Sequence, residues 1–304
     1  MRYLILNCDD FGQSEAANQA IIHLLEERKV SSATIMPPAP AFEQAAAWSR
    51  SKGKGLVGLH LTLTSEFDGF RWRSLTRNSK HRDESGHLYR TVLEFETNAH
   101  PKAVRGEILA QFKAVKEAGI EISHVDNHMG SLYGLETGRS YLPFVLWQCS
   151  RRGLPFRLFR QIYAKDSFLT SIPNAEETLA RIVSVADLLE VPIPDYLLSH
   201  PYHIQEDETY EVFKKSLLDK IYDLPEGVSE TYIHPAMDDG HMQRLIPSWA
   251  KRVWEYQLML EDDFAYALKD AGVQLVNYHY VKQNLRRPRW GAARRLLFSG
   301  RYHS

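Results

Sequence analysis

From Tyr3 to Tyr278 the 304-residue chain alternates short apolar runs with stretches in which apolar residues recur at three-and-four spacing. Few folds accept that rhythm. Strands that are apolar on both faces need helices on both sides, so the pattern predicts βα units around a parallel sheet. The expected order opens with a strand over 3–8, a helix from Ser14 to Arg28 capped by Ser14, and a strand over 32–36 closed by Pro37 and Pro38. A helix over 42–51 and a strand over 55–61 follow. Pro101 opens a helix in which Val104, Ile108, Phe112 and Val115 share a face, Gly119 stands just past its end, and a strand over 120–125 comes next. Later helices are expected over 141–152, 175–189, 207–222 and 261–271, and later strands over 155–159, 197–200, 231–234 and 273–278. Seven or eight parallel strands suffice for a barrel, so the predicted fold is α/β, a single (β/α) barrel-like domain over 1–285, related to the TIM barrel.

Two segments depart from this rhythm. Residues 65–100 are polar and broken, and a stretch of that length inside a domain reads as a lid insertion over a site. The tail over 286–304 carries Arg286, Arg287, Arg289, Arg294, Arg295 and Arg301 without an acid, interleaved with Trp290, Leu296, Leu297 and Phe298. It reads as a basic tail packed on acidic surface, with a membrane-surface or nucleic-acid contact as the alternative. Overall, 37 Lys+Arg against 38 Asp+Glu give a net charge of −1, so no global field favours nucleic acid or an anionic membrane. The apolar run over 3–6 is too short for a signal peptide or a membrane span. Cys8 and Cys149 are too few for a disulfide framework or a cysteine-type zinc site, which fits a reducing compartment. These features predict a cytoplasmic enzyme or binding protein and leave a homodimer open.

In parallel α/β architectures function collects at the C-terminal ends of strands. Here those ends carry Asp9 and Asp10, then His60, then Asp126 and His128, then His234. A carboxylate and two imidazoles converging at a barrel mouth make a hydrolytic metal site with positions left for water and substrate. Asp9 or Asp10 could instead cap the helix that follows. In an extended segment His124 and His128 would lie about 13 Å apart, too far to share one ion. His128 is nearer the mouth and is the expected ligand, with His124 and Asp126 orienting it or lining the pocket.

Asn7-Cys8-Asp9-Asp10-Phe11-Gly12, Gly58-Leu59-His60-Leu61-Thr62 and Ser123-His124-Val125-Asp126-Asn127-His128 resemble, in order and spacing, the signature segments of the YdjC-like carbohydrate deacetylases. That group includes chitooligosaccharide and hopanoid-biosynthesis deacetylases. The resemblance extends to about Tyr280. It implies a barrel-like (β/α) fold, one divalent metal ion (Mg or Zn, with Mn or Co as alternatives) and removal of N-acetyl groups from a small acetylated amino sugar or oligosaccharide. It further implies Asp10, His60 and His128 as metal ligands and Asp9 as the catalytic base. Pro155-Phe156-Arg157 resembles the family's arginine-bearing strand, and Ile233-His234-Pro235 its late His-Pro motif. The chain departs from the family in Met129-Gly130-Ser131-Leu132-Tyr133, where relatives near the chitooligosaccharide enzymes often carry more histidines. It departs again in Ala236-Met237-Asp238-Asp239, where a glycine commonly follows the proline.

His234 is the candidate acid for the departing amine, because an imidazole titrates near working pH; its other reading is a hydrogen-bonded histidine before a proline. Arg157 is expected to bind substrate, or to form a structural ion pair, while Tyr133 and Trp72 stack on sugar faces or simply pack. Two rival functions keep the same residues: a metal-dependent phosphoesterase or glycosidase, and a catalytically silent sugar-binding protein. A two-metal phosphoesterase would need further ligands, which Asp126 or His200 would supply.

Overall fold

In the computed structural model, which describes residues 1–285 apart from 78 and 173, strand β1 (Arg2–Phe11) is covered on both faces, and Leu4, Ile5 and Leu6 are fully buried. The tail expected over 286–304 lies outside the described residues. Six more strands follow: β2 (Ser32–Ile35), β3 (Val57–Leu61), β4 (Val125–Asn127), β5 (Tyr196–Leu198), β6 (Gly227–Ile233) and β7 (Val273–Leu275). The sheet runs β4-β3-β2-β1-β6-β5 and every pairing is parallel. Since β6 lies along Arg2 to Cys8, β7 and β2 divide the other edge of β1, with β7 on Arg2–Leu4 and β2 from Asn7 onward.

This curled sheet is a half-barrel, and backbone hydrogen bonds span its open side. Val125 N–H donates to Pro155 O and Arg157 N–H to Val125 O, while Phe156 N–H donates to Pro192 O just ahead of β5. The strand expected over 155–159 is therefore reduced to one bridge, Val125 with Phe156. Pro155 has no N–H to donate, and the Phe156 N–H is turned to the far neighbour, so no ladder develops.

Most helices follow the apolar periodicity. Ser14 caps the helix Glu15–Glu26 by accepting the Ala17 N–H at 3.1 Å, a contact worth about 1 kcal/mol. Helix Phe42–Ser51 matches its expected bounds, and helix Pro101–Glu117 buries Val104, Ile108, Phe112 and Val115 before Gly119 turns out with φ +73°. Strand boundaries shifted more. Residues 120–122 have no ladder because β3 begins only at Val57; the first bond is Ser123 N–H to Val57 O. The strand expected over 273–278 stops at Leu275, because Asn277 caps a new helix, Tyr278–Asn284. Helix Trp249–Leu260 was not foreseen from the sequence.

Over its described residues, the 65–100 segment is built around its own contacts. It contains helix Val92–Asn98, opened by a reciprocal cap between Thr91 and Glu94, and it buries Phe67, Trp72 and Leu88 against Met36, Ala236, Ile246 and Trp249. Glu107, from the long helix, accepts the N–H groups of Leu75 and Thr76 at 2.9 Å each. Cys8 and Cys149 are buried and free. Among the described residues no helix is long and apolar enough to cross a membrane.

Candidate active site

Consecutive residues on a strand point to opposite faces, so Asp9 and Asp10 should diverge. They do not. The register of β1 against β2 slips between Cys8 and Phe11, and Asp10 takes a left-handed φ of +64°. A bulge of this kind re-aims side chains, and here it brings both carboxylates to His60. Asp10 Oδ2 accepts from Arg252 at 2.6 Å and from Gln13 at 3.1 Å. Its Oδ1 has no hydrogen-bond partner although it is buried. That oxygen faces His60 Nε2 at 3.5 Å and His128 Nδ1 at 3.2 Å, and the three donor atoms lie within 4.8 Å of one another.

The remaining nitrogen of each imidazole is held by a carboxylate: His60 Nδ1 by Asp126 Oδ1 at 2.7 Å and His128 Nε2 by Glu66 Oε2 at 2.9 Å. In the neutral imidazoles, protons on those nitrogens would leave the lone pairs on His60 Nε2 and His128 Nδ1, the atoms aimed at Asp10 Oδ1. An orphaned buried carboxylate oxygen is costly unless a cation meets it, and one oxygen with two imidazole nitrogens, each supported from behind, suits a divalent ion. The residues therefore fit the group. Without the ion, burial pushes both imidazoles down, but the surrounding carboxylates override it. Asp126 and Asp10 lift His60 to about 9, and Glu66 and Asp10 lift His128 to about 10. Burial pushes Asp10 up, yet Arg252 and His128 hold it well below the usual carboxylate range. Asn127, with its amide turned to satisfy both, accepts the N–H groups of Gly130 and Ser131 at 3.0 Å and fixes the turn behind His128.

A second layer lies beside this cluster. The Arg157 guanidinium forks onto Asp9 with two bonds of 2.7 Å, reaches Asp126 Oδ2 at 3.0 Å and donates through Nε to Glu230 at 2.9 Å. Asn7 adds a bond of 2.8 Å to Asp9. Burial raises the Asp9 carboxyl, but Arg157 reverses the shift and keeps it ionised well below the ordinary range. Glu230 is lifted by burial to about 7 and accepts from the Tyr278 hydroxyl. His124 stacks flat on Tyr278, ring centroids 3.7 Å apart, and burial lowers it to about 3, so it stays neutral. The ring lies so close over Gly58 that a β-carbon there would meet it at 2.5 Å.

The structure gathers Asp9, Asp10, His60, Asp126, His128 and Arg157 into one network, and places the other expected residues around it. His234 has its N–H bonded to Glu255 at 2.7 Å and its Nδ1 unpartnered, and burial lowers its pKa. Arg157 is surrounded by three carboxylates. Tyr133 donates to the Arg157 carbonyl at 3.0 Å. Trp72 is only 2% exposed, donates to Thr64 O and sets its ring edge-on to His128. In this conformation Trp72 packs against His128, with almost no surface for a sugar to meet.

The sequence reading missed Glu66, Arg252, Glu255, Glu230 and Tyr278. Arg252 and Glu255 lie one turn apart on helix Trp249–Leu260 and serve Asp10 and His234 respectively. Glu230 stands inside strand β6 between Ser229 and Thr231, so its immediate neighbours gave no sign that it is buried.

Comparison with known proteins gives consistent neighbours. The family described as YdjC-like protein matches residues 3–270. A carbohydrate deacetylase of Thermoanaerobacter pseudethanolicus is 24% identical over 93% of this chain and 100% of its own length. A chitooligosaccharide deacetylase of Enterobacter sp. (strain 638) is 26% identical, covering 91% and 98%. Among solved structures, one from Enterococcus faecalis, described as a cellobiose-phosphate cleavage protein, superposes with a TM-score of 0.69 at 24% identity, covering 91% and 98%.

Proposed function

We propose, from the premise that this chain belongs to the YdjC-like family, that it is a hydrolase removing the N-acetyl group from an acetylated amino sugar or short oligosaccharide. The names of relatives that align along nine-tenths of the chain support the reaction. The observation that carries the reading is the unpaired Asp10 Oδ1 facing His60 Nε2 and His128 Nδ1, beside an ionised Asp9 that does not belong to that trio. Asp10, His60 and His128 would hold one divalent ion, whose chemistry is to polarise the acetamide carbonyl and to make water acidic enough to attack near neutral pH.

Asp9 serves as the proton acceptor for the attacking water. Its basicity is weak because Arg157 stabilises the anion, but the same fork fixes its orientation and keeps it deprotonated throughout the working range. Asp126, between His60 and Arg157, orients both. His234 begins neutral, held so by burial; it takes up a proton from solvent and passes it to the departing amine, while the proton that Asp9 took from the attacking water returns to solvent. Glu255 fixes its backbone, and His200 in turn fixes Glu255 at 3.0 Å. Arg157 thus acts through the carboxylates it binds rather than on the sugar.

A two-metal phosphoesterase would need the second acidic group, Asp9, His60 and Asp126, for another cation. The Arg157 guanidinium already occupies that role, bonding both carboxylates. The deciding experiment is acetate release from N-acetylated mono- and oligosaccharides with and without added divalent metal. Metal-dependent release is expected, lost in His128→Ala and in Asp9→Asn, with Asp9→Asn still binding one ion per chain. Undiminished turnover in Asp9→Asn would remove it as the base, and absence of acetate from every sugar would remove the deacetylase reading.

A further inference from the structure

Glu66 is the second residue of the 65–100 segment, yet its carboxylate ends at the metal cluster, 2.9 Å from His128 Nε2. Its backbone has little freedom. Ser65 is buried with its hydroxyl accepting the Trp72 N–H at 2.9 Å, and Phe67 is buried in the apolar cluster beneath the segment. Trp72 sets its ring 5.8 Å from that of His128, and Thr64 donates to the sulfur of Met129, the next residue. The His128 ring is therefore held by Asp10 and the edge-on His60 ring from the sheet and by Glu66 and Trp72 from the 65–100 segment. Its counterpart His60 differs: its support, Asp126, comes from strand β4.

We propose that Glu66 is a positioning residue for the metal centre. By accepting the Nε2–H of His128 it presents Nδ1 toward Asp10, and it thereby makes ion affinity depend on the seating of the 65–100 segment. The inference rests on the metal-site reading above. It implies reciprocity: if a seated segment favours the ion, the bound ion must favour the seated segment by the same factor.

The test uses the full chain, cobalt(II) titration followed by calorimetry and visible absorption, and hydrogen exchange of the 65–76 amides. Wild type should bind one ion per chain and slow exchange in 65–76 on binding. Glu66→Gln should bind about 10- to 100-fold more weakly, as removal of a charged partner behind a ligand histidine does, and lose most of that protection, with Glu66→Ala weaker still. Exchange outside the segment should match wild type in the variants, which a general loss of fold would not allow. An affinity of Glu66→Gln within twofold of wild type, or an ion that leaves 65–76 exchange unchanged, overturns the proposal while the metal site stands. Failure of wild type to bind cobalt overturns the metal-site reading and this one with it.

Discussion

Replacing Arg157 by methionine keeps the length of the side chain and removes the charge on which three buried carboxylates converge. Asp9, Asp126 and Glu230 are each less than a tenth exposed, and Asp9 and Asp126 present oxygens within 4.8 Å of each other. With an effective dielectric of about 20, two unit negative charges at that distance repel by about 3.5 kcal/mol. Removing one partner from a buried ion pair typically costs about 3–5 kcal/mol, so the two routes to the figure agree. The sign with pH follows from proton uptake. In wild type Asp9 is held below its unfolded value, so its contribution is present at neutral pH and is lost on acidification. In Arg157→Met the stranded carboxyls titrate above their unfolded values, the folded state binds extra protons, and stability falls as pH rises. The difference between the two proteins should therefore be greatest near pH 7.5 and shrink toward pH 5. Guanidinium unfolding followed by circular dichroism, with chelator present in all samples, measures it. A lysine at the position should recover only part of the loss, since an ammonium cannot fork across Asp9 while reaching Asp126 and Glu230. A loss below about 1 kcal/mol at pH 7.5, or one that grows on acidification, would refute the account.

Because His60 and His128 titrate near 9 and 10 without the ion, both are protonated at pH 7 and must release their protons to bind it. Zinc titrations at pH 7 in buffers of different ionisation enthalpy should give heats that scale with buffer, corresponding to about two protons per ion; buffer-independent heats would contradict these charge states. Gly58→Ala places a methyl 2.5 Å from the His124 ring, which is itself pressed on Tyr278, so the variant should lose about 1–3 kcal/mol in thermal unfolding. An unchanged melting temperature would show that the ring can move aside.

Strand ends and capped amphipathic helices were readable because one local signal sets each of them. Ser14 at its cap, the apolar face of Pro101–Glu117, and the positions of Asp10, His60 and His128 at the ends of β1 and β3 and just past β4 all follow from spacing. Helix Trp249–Leu260 was hidden for a physical reason. Its buried positions include Lys251, Arg252 and Glu255 beside Trp249, Leu258 and Met259, so the inward stripe is half charged and the apolar period is blurred. Two of them, Arg252 and Glu255, are the ones that reach Asp10 and His234. Arg157 was legible as an arginine near the mouth, but its engagement by acids from β1, β4 and β6 depends on three strands meeting in space. Glu66 carried no signal, since a lone acid in a polar segment looks solvated until the segment folds back over His128.

The slip in β1 gives position 10 two requirements that few side chains meet together. Its backbone lies in a region that costs an ordinary L-residue about 1–2 kcal/mol, and that asparagine and aspartate tolerate best after glycine. Its side chain must also supply an anionic oxygen. Glycine meets the first demand alone, glutamate the second alone, and asparagine the first with a weaker donor. Aspartate thus answers two demands, one set by the shape of the main chain and one by charge, and the same twist keeps it on the His60 side of the strand with the adjoining acid at position 9. One irregular stretch of strand gathers two consecutive acids at one imidazole, and the arginine behind each, Arg157 for Asp9 and Arg252 for Asp10, tells them apart.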